Sequence, residues 1–280
     1  MYWALIASLA LLLKSGAPPA KASSQVASAP AVIGTYQPSP TEDFEAERQL
    51  LDLANQARAE AGAPRLSPDN GLTDAARNHN LAMVAEQQLS HQFPGEPSLT
   101  QRVAQATSLH LDRAGENVAV AETVEGIQNV LMHSPPHREN LLNPAYNVAG
   151  FSVLRSGERM YVVQDFGHQL PILTQDSANQ QIAAGFQHLR DQDHLSPLTQ
   201  LDGSEAQSIA CAMAKADGLS TLPPQSHYVL RYTTMDPSRL PADAEKIVGN
   251  RALRTFSLGS CYAKTATYPN GAYWVALLLD

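Results

Sequence analysis

The chain has 280 residues, of which 44% are hydrophobic, and this length and composition predict one or two globular domains with a packed core. Its formal net charge is −8, which argues against nonspecific nucleic-acid binding because that function needs clustered Lys and Arg. We therefore expect no nucleic-acid partner.

The N-terminus has the pattern of an export signal. Residues 3–13 form a nearly unbroken apolar run, whereas a membrane-spanning helix needs about 20 residues. Ala20-Lys21-Ala22 matches the small-x-small pattern of a cleavage site. We predict a cleaved signal peptide over 1–22, with an uncleaved short anchor as the alternative, and a linker over 23–41. The protein is then secreted or periplasmic and has no transmembrane span.

Two amphipathic helices are predicted after the linker. The Ser-Pro-Thr-Glu segment predicts a helix start with Ser39 as the N-cap, and Gly62 is the expected C-cap. The next helix follows Ser67-Pro68, and His79 lies on its apolar face. We expect His79 to be a packed structural residue, because a histidine on an apolar face is more often hydrogen-bonded in the core than a ligand.

Further along, the pattern changes from helices to strands. A third helix is predicted over 123–133, followed by strands over 148–154 and 160–166 that are joined by a turn at Ser156-Gly157. Helices followed by strands, without alternation, favour an α+β layered domain.

The second half has a similar order of elements. After a polar connection over 169–178, helices start near Gln180 and Glu205, and two strands surround a Pro-Asn-Gly turn. We predict a smaller α+β domain over 179–280, either a truncated, degenerate copy of the first domain or an unrelated domain with common residues. A copy would place Cys211 opposite His79 and would lack the candidate site described below. Residues that match at a constant offset of 132 are Arg58, Leu66, Gly71 and Ala82 with Arg190, Leu198, Gly203 and Ala214.

The chain has two cysteines, Cys211 and Cys261. Export implies an oxidising compartment, where the two predict one disulfide. Two buried thiols are the alternative.

Three histidine and acid cues could carry chemistry: Ser90-His91, Gly115-Glu116-Asn117, and a Ser-Pro-Pro-His segment that ends at His137. Two prolines fit the first turn of a new helix capped by Ser134, which would fix the direction of His137. Two imidazoles and a carboxylate suit a transition metal, above all zinc with an open position. From spacing alone, capping or packing histidines are the commoner interpretation.

Together these cues resemble a known family. The motifs Asn55-x-x-Arg58, Ser90-His91, Gly115-Glu116-Asn117, Ser134-Pro135-x-His137-Arg138 and Tyr161-x-x-Gln164-Asp165-Phe166-Gly167 stand in this order in the sequence. They are similar to the SCP-like extracellular, bacterial branch of the CAP superfamily (cysteine-rich secretory, antigen-five and pathogenesis-related proteins). The resemblance implies a three-layer α-β-α sandwich around a small antiparallel sheet over 42–168.

The resemblance also implies a shallow cleft that contains two histidines and two acids. His91, Glu116 and His137 match three of the four, and in some family members the histidines hold zinc or another divalent cation. The second acid would fall near Ser134, where the sequence has no carboxylate, and Leu131 replaces a tryptophan that is frequent in bacterial members.

Four further residues near the motifs have expected structural roles. Asn117 and Arg138 are expected to support the cleft backbone. Asp165 and Glu139 have ordinary surface or capping explanations.

These predictions lead to two principal functions. The first is a noncatalytic secreted module that binds a divalent metal, a lipid or sterol or other small hydrophobic ligand, or an extracellular envelope, glycan or protein partner. The alternative is a metal-dependent, peptidase-like hydrolase that uses His91, Glu116 and His137 as catalytic candidates. The missing second acid and the lack of a nucleophile motif count against the hydrolase. A third interpretation is a wall-associated structural protein with the second copy as a spacer.

Overall fold

Two β-sheets, each flanked by helices on both faces, organise the residues that this computed structural model describes, which are 39–220, 228–242 and 244–280. The predicted signal peptide (1–22) and the part of the predicted linker before residue 39 lie outside the described residues. Within the described ranges, no helix is both long enough and apolar enough to cross a membrane.

The first sheet has five strands in the order β1-β4-β5-β3, and β2 pairs in parallel with β4. The other pairings are antiparallel, and Gly157, with a φ of +61°, turns the chain between β4 and β5 as predicted. The strands are β1 (Thr41–Glu42), β2 (Ser67–Pro68), β3 (His110–Ala121), β4 (Val148–Ser156) and β5 (Arg159–Leu170).

Five helices cover this sheet, and β1 to β5 with these helices are called the first module. The helices are α1 (Phe44–Glu60), α2 (Asn70–Glu86), α3 (Leu99–Ala106), α4 (Val124–His133) and α5 (Pro135–Leu142). α1, α4 and α5 pack together on one face, whereas α2 and α3 pack on the other. Because both faces are covered, the first seven residues of β4 are all buried. The predicted α+β three-layer sandwich is confirmed.

The second module repeats this topology with fewer elements. Its sheet has the order β6-β8-β9-β7, and β6 pairs in parallel with β8 as β2 does with β4. α6 and α8 pack on one face of the sheet and α7 packs on the other. The elements are α6 (Gln175–Gln192), β6 (Thr199–Gln200), α7 (Ser204–Ala216), β7 (Tyr228–Thr234), α8 (Ala244–Val248), β8 (Thr255–Ala263) and β9 (Ala272–Leu279).

Two buried arginines support the interpretation of the second module as a copy. Arg58 in α1 and Arg190 in α6 are 0% and 2% exposed, and both donate to main-chain carbonyl groups. The Nε of Arg58 donates to the Pro64 oxygen at 2.7 Å, and the Nε of Arg190 donates to the Ser196 oxygen at 2.8 Å. Both the arginines and their acceptors lie at the predicted spacing, so α1 and α6 are structural equivalents.

The spacing is not constant, because Met83 and Met213 differ by 130 rather than 132, and this corrects two predicted matches, Ala82 with Ala214 and His79 with Cys211. Helices α2 and α7 each end at a C-cap residue in the left-handed conformation. The N–H of this residue donates to the Met83 carbonyl in α2 and to the Met213 carbonyl in α7. This alignment places Ile209, rather than Cys211, opposite His79. Cys211 instead forms the predicted disulfide with Cys261, which ties α7 to β8.

The start of the first helix differs from the prediction. Asp43, not Ser39, is the N-cap of α1, and its side chain accepts a hydrogen bond from the Ala46 N–H at 3.0 Å. The predicted first turn is strand β1, which pairs with β4 and therefore cannot be helical. Gly62, with a φ of +72°, directly follows the C-cap Ala61.

Four elements of the first module are absent from the sequence prediction: the two-residue strands β1 and β2, helix α3 and strand β3. α3 begins at a capping box in which Ser98 and Gln101 bond each other's backbone N–H groups, and β3 carries the Gly-Glu-Asn cue. The connection between the modules is also shorter than predicted, because β5 continues to Leu170 and α6 begins at Gln175. The predicted domain boundaries at 168 and 179 stay a prediction.

A histidine joins the two modules. His110, the first residue of β3, is 1% exposed, with its Nε2 at 2.7 Å from the Met235 carbonyl oxygen and its Nδ1 at 3.1 Å from that of Asn270. Tyr262 and Tyr273 pack edge-on against its ring, at centroid distances of 5.2 Å and 6.0 Å. The first module thus contributes an imidazole, and the second module contributes main-chain oxygens and aromatic rings.

Candidate functional site

The structure brings the three cue residues close together, and the surface that they share is called the cleft below. His91 lies in the loop between α2 and α3, Glu116 lies on β3, and His137 lies in the first turn of α5. The Nδ1 of His91 is 2.9 Å from Glu116 Oε1, and the ring centroids of His91 and His137 are 6.4 Å apart.

An asparagine pair fixes the backbone around the cleft. The Nδ2 of Asn117 donates to the His137 carbonyl oxygen at 3.0 Å. Asn140 donates to the Asn117 Oδ1 and to the Glu116 carbonyl oxygen, at 3.1 Å and 3.2 Å. Asn117 therefore supports the cleft, as predicted. Arg138 does not, because its side chain is exposed and makes no hydrogen bond within the described part of the chain.

Behind the cleft lies a buried network of ionisable side chains. Glu116 is 6% exposed, and its Oε2 accepts a hydrogen bond from the equally buried Arg102 guanidinium. His79 is fully buried, with its Nδ1 at 2.6 Å from Glu96 Oε1 and its Nε2 at 2.8 Å from the Ser90 carbonyl oxygen. Both ring nitrogens of His79 thus have partners, as expected for a structural histidine. The network holds the carboxylate that meets His91 in one position.

Asp165 belongs to this network, and the prediction of a surface or capping role for it is wrong. It pairs with Glu116 across β3 and β5 and is 0% exposed. Burial, and then the neighbouring Glu116 charge, raise the pKa of Asp165 well above its usual range. The protonated form of Asp165 is therefore favoured beside Glu116.

The two cleft histidines differ in their electrostatics. The hydrogen bond to Glu116 raises the pKa of His91, whose side chain is 57% exposed. Burial, together with the nearby His91, lowers the pKa of His137. The Nδ1 of His137 is buried and has no hydrogen-bond partner in the described part of the structure.

The site offers a cation two imidazole ligands rather than three ligands. Within the described ranges, no group of three or more His, Cys, Asp or Glu side chains is arranged to hold a metal ion. Glu116, a predicted ligand, is already engaged by His91 and Arg102. A carboxylate in this position commonly orients a metal-binding histidine instead of binding the ion. The residues fit a cation held by His91 and His137, with Glu116 as their support, and the zinc site stays a prediction.

Sequence reasoning missed Arg102, Glu96 and the burial of Asp165. A signal for Arg102 was present, since the Ser98-x-x-Gln101 capping pattern marks the helix that carries it. Asp165 stands within a predicted strand, but the sequence does not show that both faces of that strand are covered.

The fold and the cleft define the class: an α-β-α sandwich with two histidines and a buried acid beside a central antiparallel sheet. Residues 51–166 match the model of the CAP family, described as the cysteine-rich secretory protein family. This part of the chain is therefore similar to the CAP family, as the sequence motifs indicate.

Three similar proteins illustrate this placement. The uncharacterized protein YkwD of Bacillus subtilis is 29% identical over 133 residues, which are 46% of this chain and 47% of the relative. The uncharacterized membrane protein YlbC of the same species is 33% identical over 124 residues, 43% of this chain and 34% of the relative. An extracellular protein of Bacillus anthracis with an SCP domain has a solved structure with 26% identity and a TM-score of 0.42, covering 45% of this chain and 41% of that one. The chain thus spans half or less of these proteins.

Proposed function

We propose that this chain is an extracytoplasmic, noncatalytic binding module whose cleft binds a divalent cation through His91 and His137. The disulfide supports the location, because such bonds persist in oxidising compartments. The CAP match of residues 51–166 supports the class of protein.

The observation that carries the proposal is the state of the His137 side chain. Its backbone is held by Asn117, yet neither of its ring nitrogens makes a hydrogen bond within the described residues, and Nδ1 is buried. Leaving a buried polar atom unpaired costs about 1–3 kcal/mol. A lowered pKa keeps this imidazole neutral at pH 7, which is the form that binds metals. A ligand at the cleft would use a group that the fold leaves unsatisfied.

The second imidazole is oriented for the same role. Because Nδ1 of His91 donates to Glu116, its Nε2 keeps a free lone pair, and this nitrogen makes no hydrogen bond in the described part of the structure. A bound cation would supply open coordination positions for an oxygen atom of a partner molecule.

The acids argue against hydrolysis. A general base must be free to accept a proton near the substrate. Glu116 is paired with Arg102 and His91, and Asp165 is buried and favours its protonated form. Neither carboxyl group is available to activate water in the cleft.

The test is a zinc titration of the metal-stripped full chain by calorimetry. The double variant His91→Ala/His137→Ala should bind zinc at least about tenfold more weakly than the native chain. His133→Ala is the matched control, since His133 ends the neighbouring helix, is exposed, and bonds only the Asn129 carbonyl of its own helix.

Three results would contradict the proposal. Undiminished zinc binding by the double variant, or no zinc binding by the native chain, would remove the cation site and leave lipid or protein binding elsewhere on the surface. Metal-dependent cleavage of a peptide library that the double variant loses would establish the hydrolase instead.

A further inference from the structure

A cationic cavity lies in the second module, where α6 ends and the segment before β8 begins. It has a volume of about 540 Å³. Three guanidinium groups and an imidazole line it, against one carboxylate, Asp193; the basic residues are Arg190, His194, Arg251 and Arg254.

At the positions that correspond to this cavity, the first module has the buried Arg58 and one further basic residue, Arg65, which takes the place of Pro197 and lies 3.5 Å from the Asp52 carboxylate. The two sets of positions can be aligned because Nη1 of Arg58 donates to the carbonyls of Leu141 and Asn143, and Nη1 of Arg190 to those of Val248 and Asn250. This alignment shows that three residues without charge are replaced by basic ones. The replacements are Gly62 by His194, Pro144 by Arg251, and Asn147 by Arg254.

The same alignment shows that one donor group of Arg190, its Nη2, has no hydrogen-bond acceptor within the described residues. In the first module, Nη2 of Arg58 donates to the Tyr146 carbonyl oxygen at 2.7 Å. In the second module, the equivalent Leu253 carbonyl accepts a hydrogen bond from Nη1 of Arg254 at 2.8 Å. The Nη2 of Arg190 therefore makes no hydrogen bond within the described residues, although the side chain is 2% exposed and lines the cavity.

Two further features point the cavity toward a ligand. His194 has a φ of +55°, a left-handed conformation that costs a non-glycine residue energy, and its counterpart Gly62 adopts the same region without that cost. Arg254 is fixed by its bonds to the carbonyls of Arg251 and Leu253, whereas the Arg251 guanidinium makes no hydrogen bond in the described part of the chain.

From these contacts we propose that the cavity binds a phosphate group, held by Arg190, Arg251 and Arg254. Guanidinium groups present planar pairs of N–H donors that match the oxygens of phosphate. The carbonyl groups at the end of α6 and the Asp193 carboxylate oppose an anion. Arg190 lies in the last turn of α6, where its charge offsets part of the helix-end dipole, and the basic residues that line the cavity outnumber its one acid. Burial, and then the charge of Arg254, lower the pKa of Arg190, consistent with closely spaced cations.

The test is a calorimetric titration of the full chain with inorganic phosphate, and it is independent of the cation site in the first module. Arg251→Gln should weaken phosphate binding about tenfold. Asp193→Asn should strengthen it, because the variant removes the opposing charge. Arg48→Gln makes the same charge change on the exposed surface of α1 and should leave binding unchanged.

The opposite signs of the two cavity variants guard against loss of folding as an explanation. No phosphate binding by the native chain, or equal weakening by Arg251→Gln and Arg48→Gln, would overturn the proposal. His194→Gly adds a second readout: it should weaken binding and raise the melting temperature, since glycine relieves the backbone strain.

A second experiment, with lipid vesicles, identifies the source of the phosphate. If the native chain cosediments with phosphatidylglycerol vesicles and Arg251→Gln does not, the cavity binds lipid headgroups. Phosphate binding without cosedimentation supports a soluble phosphate ligand.

Discussion

At the scale of single residues, Glu116 and Asp165 show how two neighbouring carboxyl groups can have different surroundings. Both are buried and face each other across β3 and β5. Arg102 and His91 stabilise the Glu116 charge, whereas Asp165 has no hydrogen-bond partner for either oxygen among the described residues. Burying two like charges this close together costs free energy. Asp165, the acid without a hydrogen-bond partner, therefore favours its protonated form.

This arrangement predicts a particular pH dependence of stability. The unfolded chain releases the Asp165 proton near pH 4, at a pKa of about 3.9, but the folded protein keeps it to higher pH. The contribution of Asp165 to stability is therefore fully present below that pH and is lost as the pH rises. Asp165→Asn should become more stable relative to the native chain between pH 4 and pH 8. Urea unfolding at both values measures this, and a difference that does not change with pH would contradict it.

The cleft histidines should titrate in a fixed order. Glu116 raises the pKa of His91, and burial lowers that of His137, so NMR titration should give a higher pKa for His91 than for His137. Glu116→Gln removes the negative charge and should lower the pKa of His91, while the exposed His133 serves as an internal reference. An unchanged His91 titration in this variant would refute the contact.

At the scale of elements, the second module keeps the packing of the first but replaces its polar network. Val229 and Leu278 take the strand positions in the second module that Glu116 and Asp165 take in the first. Ile209 likewise takes the helix position of His79. The three replacements belong to one apolar cluster with Trp274. A complete set of apolar replacements avoids leaving any one charge buried without its partner.

Both modules depend on close contact between a central helix and a glycine in the strand beneath it. A Cβ at Gly150 would lie 2.0 Å from the Thr73 nitrogen, and one at Gly259 would lie 2.1 Å from the Gln207 nitrogen. Each glycine-to-alanine change should force the helix off its sheet and cost about 3 kcal/mol. Urea unfolding gives the cost. Gly126→Ala is the control: Gly126 lies in helix α4, where an added Cβ would meet only side-chain atoms, at 3.3 Å, and the change should alter stability by less than about 1 kcal/mol.

The elements that sequence predicted well are those with strong local signals. The hairpin at Gly157 and the helix over 124–133 follow from turn residues and helical spacing. β3 was missed because its polar cue residues interrupt the alternation expected of a strand. The cleft cues are visible in the sequence, and the expectation that they meet came from the family resemblance. Arg102 and Asp165, in contrast, enter the network only through tertiary packing, which spacing cannot show.

At the scale of the whole molecule, the disulfide is the one covalent link between elements in the described part of the chain. It closes a loop of 50 residues between α7 and β8, and such a loop predicts a stabilisation of about 4 kcal/mol. Thiol counting in denaturant without reductant should find no free thiol. The double variant Cys211→Ala/Cys261→Ala should unfold at lower urea concentration, and an unchanged midpoint would show that the link adds nothing.

The buried imidazole between the modules has a consequence for tolerance to sequence change. Its shortest contacts to the second module are to the peptide oxygens of Met235 and Asn270, which every amino acid at those positions would also provide, whereas Tyr262 contributes its hydroxyl group at 3.3 Å from Nδ1. Substitutions at positions 235 and 270 should therefore be tolerated as long as the chain follows the same path, whereas His110 itself, and Gly271 with its φ of +88°, have no such freedom. Sequence variation at this contact should therefore be uneven, with an invariant histidine in the first module and variable residues at the two main-chain acceptor positions of the second.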